Sequence, residues 1–131
     1  MLRTISFALP LAFLAASSWA GDRIDCANAM TQYDMNKCAS SDYNRADAKL
    51  NEVYRALMAT LDSRRRQRLI EAGRAWMSYR DAHCRFETTE SEGGSMHSLL
   101  YDSCLADLTK ARTKELQSTL DCQLRRGKCY D

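Results

Sequence analysis

Two cysteines lie at equal distances from a glycine pair, and this symmetry constrains the fold more than any other feature of the chain. Cys84 and Cys104 are each ten residues from Gly94, and apolar residues at helical spacing flank the glycines on both sides. In an antiparallel helix hairpin, residues equidistant from the turn lie opposite each other. We therefore predict a helix hairpin whose mouth is closed by a Cys84–Cys104 disulfide.

The other cysteines suggest two further local disulfides. All six cysteines follow residue 20, and an even number in a small exported domain is typical of a disulfide framework. Proximity along the chain favours Cys26–Cys38 and Cys122–Cys129 as the simplest completion of the set. The chain has two histidines and no Cys-x-x-Cys pair. We therefore expect neither a metal site nor a cofactor.

The N-terminus has the pattern of a secretory signal peptide. Arg3 precedes an apolar run over residues 5–16, and Ser18 and Ala20 occupy the small-residue positions of a cleavage site. The run is shorter than the roughly 20 residues that a membrane-spanning helix needs. We predict cleavage near Ala20 and export to the periplasm or beyond. No cysteine follows the cleavage site directly, so no lipid anchor is expected.

The rest of the chain, residues 21–131, is predicted to be a single all-α domain with a disulfide-closed tail over residues 121–131. Proline is absent after Pro10 and glycine is scarce, which favours a small helical bundle built on a long antiparallel helix hairpin. A capping box opens the first, short helix, and Asp62 or Ser63 separates the next two. The predicted helices span Thr31 to about Cys38, residues 46–62, residues 63–87 and about residues 95–120.

Each long helix has apolar residues at helical spacing on one face. The hairpin register also places Arg80 next to Asp107, and it predicts an ion pair between them. We interpret Trp76 as a core anchor, and Asp81 points in a different direction from Arg80. The predicted inward faces are Leu50, Val53, Tyr54, Leu57 and Leu61; Leu69, Ala72, Trp76, Tyr79, His83 and Phe86; and Tyr101, Cys104, Leu105, Leu108, Ala111 and Leu116.

The charge balance argues against nucleic acid as the main partner. Without residues 1–20 the chain has 18 Lys+Arg and 17 Asp+Glu, because Arg3 is removed, and nucleic-acid-binding domains are usually strongly basic. One run, "RRRQR" at residues 64–68, is unusual because cations at a helix N-terminus oppose the helix dipole. It is either a solvated face or a surface that contacts an anionic envelope.

Several motifs together resemble the LprI-type lysozyme-inhibitor family. They are "MNKCA" after a capping threonine, "AD-x-x-LN-x-x-Y", "AW-x-x-x-RD-x-x-C", "EGGS" and "C-x-x-x-L-T-x-x-R", which together cover Cys26 to about Leu120. The resemblance implies a helical, disulfide-bonded protein of the periplasm or cell surface, with lysozyme inhibition as its activity. Trp76, Arg80 and Asp81 belong to the third motif. The chain departs from the family in its C-terminal cysteine pair and in lacking the acylated cysteine of lipoprotein members.

The tip of the predicted hairpin is the candidate binding site. Lysozymes carry catalytic carboxyls in a cleft, and many are strongly cationic. An acidic loop held by a disulfide could be steered towards such an enzyme. The alternative is that the glycines only turn the chain. The candidate binding residues are Glu90, Glu92, Gly93, Gly94 and Ser95.

Two other functional classes compete with inhibition. A structural or envelope-stress module would bind a periplasmic partner or an anionic envelope surface through residues 64–68. A small hydrolase has the least support, because the sequence shows no paired-carboxylate site and no glycine loop that could hold a phosphate. We therefore predict no catalytic residues and a non-enzymatic protein.

Overall fold

The computed structural model describes residues 24–125, and within this range all regular structure is helical. The all-α prediction is confirmed. Residues 1–23 and 126–131 lie outside the described part, and with them the predicted signal peptide and Cys129. Three long helices are joined by short connections. One 3-10 helix, Cys26–Asn28, precedes the first long helix, and another, Thr89–Ser91, follows the second. The long helices are α1 (Gln32–Thr60), α2 (Ser63–Glu87) and α3 (His97–Leu124).

Two predicted helix caps are confirmed. The side chain of Thr31 accepts a hydrogen bond from the backbone N–H of Asp34 at 3.1 Å, and that of Asp62 accepts one from Arg65 N–H at 2.9 Å. Each satisfies a backbone donor that the helix start leaves without a partner. The predicted break after Cys38 is wrong, because α1 continues as one helix to Thr60.

Helices α1 and α3 form the main packed pair, and they run parallel. Asn36 near the start of α1 donates to the carbonyl of Ser95, just before α3, whereas Leu61 at the end of α1 clusters with Leu120 near the end of α3. Helices α2 and α3 form the predicted antiparallel hairpin, closed by the Cys84–Cys104 disulfide, but α1 and α3 are the more closely packed pair. Helix α2 connects the end of α1 to the start of α3, and its backbone makes few contacts with either helix.

The hydrophobic core lies towards the ends of α1 and α3. The predicted inward face of α1 is confirmed, since Tyr54 is partly buried and the other four members are buried. Helix α2 contributes Leu69 and Trp76 to the edge of this cluster, and Trp76 is thus a partly buried core contact. The buried members are Leu50, Val53, Leu57 and Leu61 of α1 together with Leu116 and Leu120 of α3.

The predicted inward face of α2 is wrong at three of its six positions. Tyr79 is 55% exposed and Phe86 is 75% exposed, and Ala72 is exposed as well. The two α2 residues that are buried are Arg80 and Cys84. Periodicity locates an apolar stripe on a helix, but it does not show which neighbour covers the stripe, and here α2 turns a polar arginine inwards instead.

Two of the predicted disulfides are confirmed. Cys84 is bonded to Cys104 with a Cα–Cα distance of 5.7 Å, and Cys26 to Cys38 with one of 5.6 Å. The first joins the end of α2 to α3, and the second ties the chain before α1 to its second turn. The predicted Cys122–Cys129 bond involves a residue outside the described range and stays a prediction.

Candidate functional site

The tip, residues 87–96, connects α2 to α3 through a short 3-10 helix and a glycine turn. Its base is rigid, because Thr88 is buried and its hydroxyl donates to the carbonyl of Cys84 at 2.7 Å. Ser91 in turn donates its hydroxyl to the carbonyl of Thr88 at 2.8 Å. The disulfide at Cys84 lies directly beneath this chain of hydrogen bonds. The base of the tip is therefore fixed by covalent and polar contacts.

The two glycines have different structural roles in the turn. Gly93 has a φ of 77°, in the left-handed region that favours glycine. A Cβ added there would meet nothing within 4 Å. A Cβ added to Gly94 would lie 3.1 Å from the carbonyl oxygen of Ser91. The first glycine therefore permits the backbone conformation, and the second permits close backbone packing.

The far side of the tip is attached to α1 and to the start of α3. Asn36 of α1 donates its side-chain N–H to the carbonyl of Ser95 at 3.1 Å. His97 Nδ1 lies 3.1 Å from the hydroxyl of Ser91. Because that hydroxyl already donates to Thr88, the Nδ1–H donates to Ser91. The histidine thus serves as a structural brace of the tip.

Ser95 does not cap α3. The N-cap residue is Met96, which makes no side-chain capping bond. Ser95 is exposed. Its hydroxyl is thus free of a capping bond and available at the surface, beside the exposed Glu90, Glu92, Gly93 and Gly94.

The acidic character of this end extends beyond the tip. Residues 86–109 contain five Asp+Glu and no Lys or Arg, whereas residues 63–85 contain seven Arg and two Asp+Glu. The net charges of the two segments are −5 and +5, so the chain changes from strongly basic in α2 to strongly acidic in the segment that follows. Asp107 belongs to the acidic segment and is exposed.

One carboxyl of the acidic segment is set apart by burial. Asp102 lies in the second turn of α3 and is half-buried, and this desolvation raises its pKa above the usual range for aspartate. Asp42 of α1 behaves in the opposite way. The side-chain hydrogen bond from Lys110 of α3 lowers the pKa of Asp42, and this contact links the two parallel helices.

Arg80 is the polar centre of the helix packing, and its predicted partner Asp107 is wrong. Its side chain is 7% exposed. Nε and Nη2 donate to Asp81 Oδ1 at 2.9 and 2.8 Å, Nη1 donates to the hydroxyl of Thr109 on α3 at 3.4 Å, and Asp47 of α1 lies 3.8 Å from Nη1. Asp107 is exposed on α3, whereas the guanidinium of Arg80 is buried against Thr109 and Asp47.

Aromatic rings enclose the same guanidinium. Its central carbon lies 5.4 Å from the ring centroid of Tyr43 on α1 and 5.2 Å from that of Trp76 on α2. Burial raises the pKa of Tyr43, which keeps that ring neutral. The motif residues Trp76, Arg80 and Asp81 therefore lie together, and they join all three helices.

The arginines of the basic run at residues 64–68 contact different neighbours. Arg65 donates to the side chain of Gln123 on α3, and Arg66 Nε donates to the carbonyl of Met58. Arg68 pairs with Glu71 at 2.9 Å. Arg64, Arg66 and Arg68 are exposed. The run thus fastens the start of α2 to its neighbours while leaving positive charge at the surface.

An open groove of about 250 Å³ lies between the three helices, beyond the site that the sequence indicated. Trp76 of α2 and Arg112 of α3 both line it. Among residues 24–125 no cluster of His, Cys, Asp or Glu has the arrangement of a metal site. No helix in that range is both long and apolar enough to span a membrane.

Comparison with known proteins identifies the family. The sequence model of the lysozyme inhibitor LprI family matches residues 25–116, which include both observed disulfides, the Arg80 cluster and the tip. The chain belongs to the LprI lysozyme inhibitor family. A curated relative, an uncharacterized protein of Rhizobium meliloti (strain 1021), is 38% identical over 110 residues, which cover 74% of this chain and 79% of the relative. No solved structure matches this chain.

Proposed function

We propose that this LprI family member is a non-enzymatic inhibitor of a lysozyme, exported to the periplasm, and that it binds the enzyme through the acidic tip. Family membership supports inhibition as the activity. The predicted signal peptide supports export. The contact surface is the tip residues Glu90, Glu92, Gly93, Gly94 and Ser95, with Glu87 at its edge.

The observation that carries the assignment of the surface is the charge of residues 86–109 combined with the exposure of the tip. Five carboxylates without a Lys or Arg produce a negative end on a chain that is otherwise basic. Such a field attracts a cationic enzyme and raises its association rate. The rigid base of the tip reduces the conformational entropy lost on binding.

The tip also presents a suitable shape for a cleft. Gly93 and Gly94 carry no side chain at the exposed turn, so a protein wall can approach the backbone closely. The hydroxyl of Ser95 can donate a hydrogen bond to a carboxyl in the cleft, because it is not used to cap α3. The acidic groups therefore guide the enzyme, and the turn makes the close contact.

Association kinetics with a cationic lysozyme test this assignment. Replacing Glu90 and Glu92 together with Lys should slow association by about tenfold at low ionic strength and by less at high salt. Glu52→Lys is the matched control, because Glu52 is exposed on α1, roughly 24 Å along the helix from Asn36, which contacts the tip. Circular dichroism establishes that each variant keeps its helical content. Equal slowing by the control would show a general charge effect and would remove the tip as the binding surface.

The competing envelope-binding function rests on the exposed arginines at the start of α2. Arg64, Arg66 and Arg68 provide positive charge at the surface, and an anionic vesicle is the corresponding probe. A vesicle-binding assay with wild-type protein and with Arg64→Glu separates the two functions. Binding that depends on Arg64, in a protein that inhibits no lysozyme, would replace the first proposal with the second.

A further inference from the structure

Helix α2 carries an exposed apolar seam that no other element between residues 24 and 125 covers. Its members succeed one another at alternating spacings of three and four residues, and every one of them is exposed. This spacing is the a/d pattern of a helix that packs lengthwise against another helix. The seam residues are Ala72, Ala75, Tyr79, Ala82 and Phe86.

The bundle does not use this seam. Helix α2 is held by a neighbouring line of residues, on which Arg80 and Cys84 are buried and Leu69 and Trp76 touch the core. The two large rings of the seam, Tyr79 and Phe86, are more than half exposed. A soluble protein rarely exposes a continuous apolar strip of this kind unless another molecule covers it.

The sizes of the seam residues favour an antiparallel arrangement of two α2 helices. A ring at the seam needs a small residue opposite, and three of the five members are alanines. If two copies cross head to tail about a two-fold axis near Met77, each Tyr79 lies opposite the partner copy's Ala75. Ala82 then lies opposite the partner copy's Ala72, so no layer places ring against ring.

The charges select the same arrangement. Glu71 and Arg85 flank the seam six and eight residues from Met77, which places each Glu71 within one helical turn of the partner copy's Arg85. In this antiparallel pair the basic start of one α2 also approaches the acidic tip of the other. A parallel pair would instead bring the two arginine runs at residues 64–68 together and would be repelled.

We propose that a second copy of this chain covers the seam, with α2 packed antiparallel against α2 across a two-fold axis near Met77. The contact is isologous, since both copies use the same surface. It also gives the arginine run a partner that the proposed inhibition does not supply. The inference goes beyond that function and does not depend on it.

Sedimentation velocity over a concentration series tests the proposal with purified protein expressed from the full sequence. Wild type should shift from monomer to dimer as concentration rises. Tyr79→Glu should weaken the dimer at least tenfold, because it places a charge in the apolar seam. Arg74→Glu is the control, since Arg74 is exposed on α2 but lies off the seam; its dimer should be unaffected. A monomer at all concentrations, or a dimer insensitive to Tyr79→Glu, would overturn the proposal.

A charge exchange tests the antiparallel register. Glu71→Arg should weaken the dimer by placing two arginines near each other, and adding Arg85→Glu in the same chain should restore it. Ser78→Cys should cross-link to itself under mild oxidation, whereas Arg74→Cys should not. Failure of the second substitution to rescue the first, together with no self-linking through Ser78→Cys, would exclude this geometry.

Discussion

Replacement of Arg80 by alanine should destabilise the fold more than replacement of any exposed arginine on α2. Loss of the guanidinium removes two cation–π contacts, with Tyr43 and Trp76, each worth about 0.5–2 kcal/mol. It also leaves the hydroxyl of Thr109, which is 0% exposed, without its hydrogen bond from Arg80, a loss of about 1–3 kcal/mol.

The ion pairs of Arg80 add little to this cost. Asp47 and Asp81 keep 43% and 40% of their side-chain surface exposed, so their carboxylates remain hydrated when the arginine is removed. Pairs with such exposed partners contribute about 0–1 kcal/mol. The expected total for Arg80→Ala is about 3 kcal/mol, a large fraction of the roughly 5–15 kcal/mol by which domains are stable.

Urea unfolding followed by circular dichroism measures this cost. Arg74→Ala is the control, because Arg74 is exposed on the same helix, and it should change the unfolding free energy by less than about 0.5 kcal/mol. A double-mutant cycle with Thr109→Val should give a coupling of about 1 kcal/mol between the two side chains. A loss below about 1 kcal/mol for Arg80→Ala would refute the central role of this arginine.

Four further changes have expected results of their own. Replacing Cys84 and Cys104 with alanine should lower the unfolding free energy by about 3 kcal/mol, because the bond closes a loop of 20 residues; urea titration measures it. Burial raises the pKa of Asp102. The contribution of Asp102 to stability is therefore fully present below its pKa in the unfolded chain, and it is lost as pH rises through its pKa in the folded protein. Asp102→Asn should be more stable than wild type near neutral pH and equally stable in acid. The lowered pKa of Asp42 has the reverse sign, so Asp42→Asn should cost about 0.2–1 kcal/mol near neutral pH, a difference that disappears as pH falls. Gly93→Ala should cost roughly 1 kcal/mol through its positive φ alone, and a cost of zero would show that the turn relaxes.

The helix caps and the disulfide at the tip were predictable from the sequence, because each depends on residues that are close together along the chain. The caps at Thr31 and Asp62 depend on side chains that reach backbone groups three residues away. The Cys84–Cys104 bond follows from symmetry about a turn, and it formed even though α2 and α3 are not the closely packed pair. A turn and a disulfide fix only one end of a hairpin, so they do not determine how closely the rest of α2 packs against α3.

Which face of each helix is buried was not predictable in the same way. The apolar stripe through Tyr79 and Phe86 was assigned to the interior, yet Arg80 occupies that place, because its charge is satisfied by groups from three helices that are far apart in sequence. The break predicted after Cys38 was also wrong. The helix continues there because buried Ala39 and Ala46 keep one side of α1 in the interior.

The lysis rate of a cationic lysozyme, measured against increasing concentrations of the purified protein, tests lysozyme inhibition most directly. Lysozymes of several types should be compared, with heat-denatured protein as the control. The proposed function predicts that at least one type loses activity in proportion to added protein until equimolar amounts are reached, and that replacing Glu90 and Glu92 with Lys raises the concentration required. Full lytic activity of every type at a large excess of folded wild-type protein would contradict it.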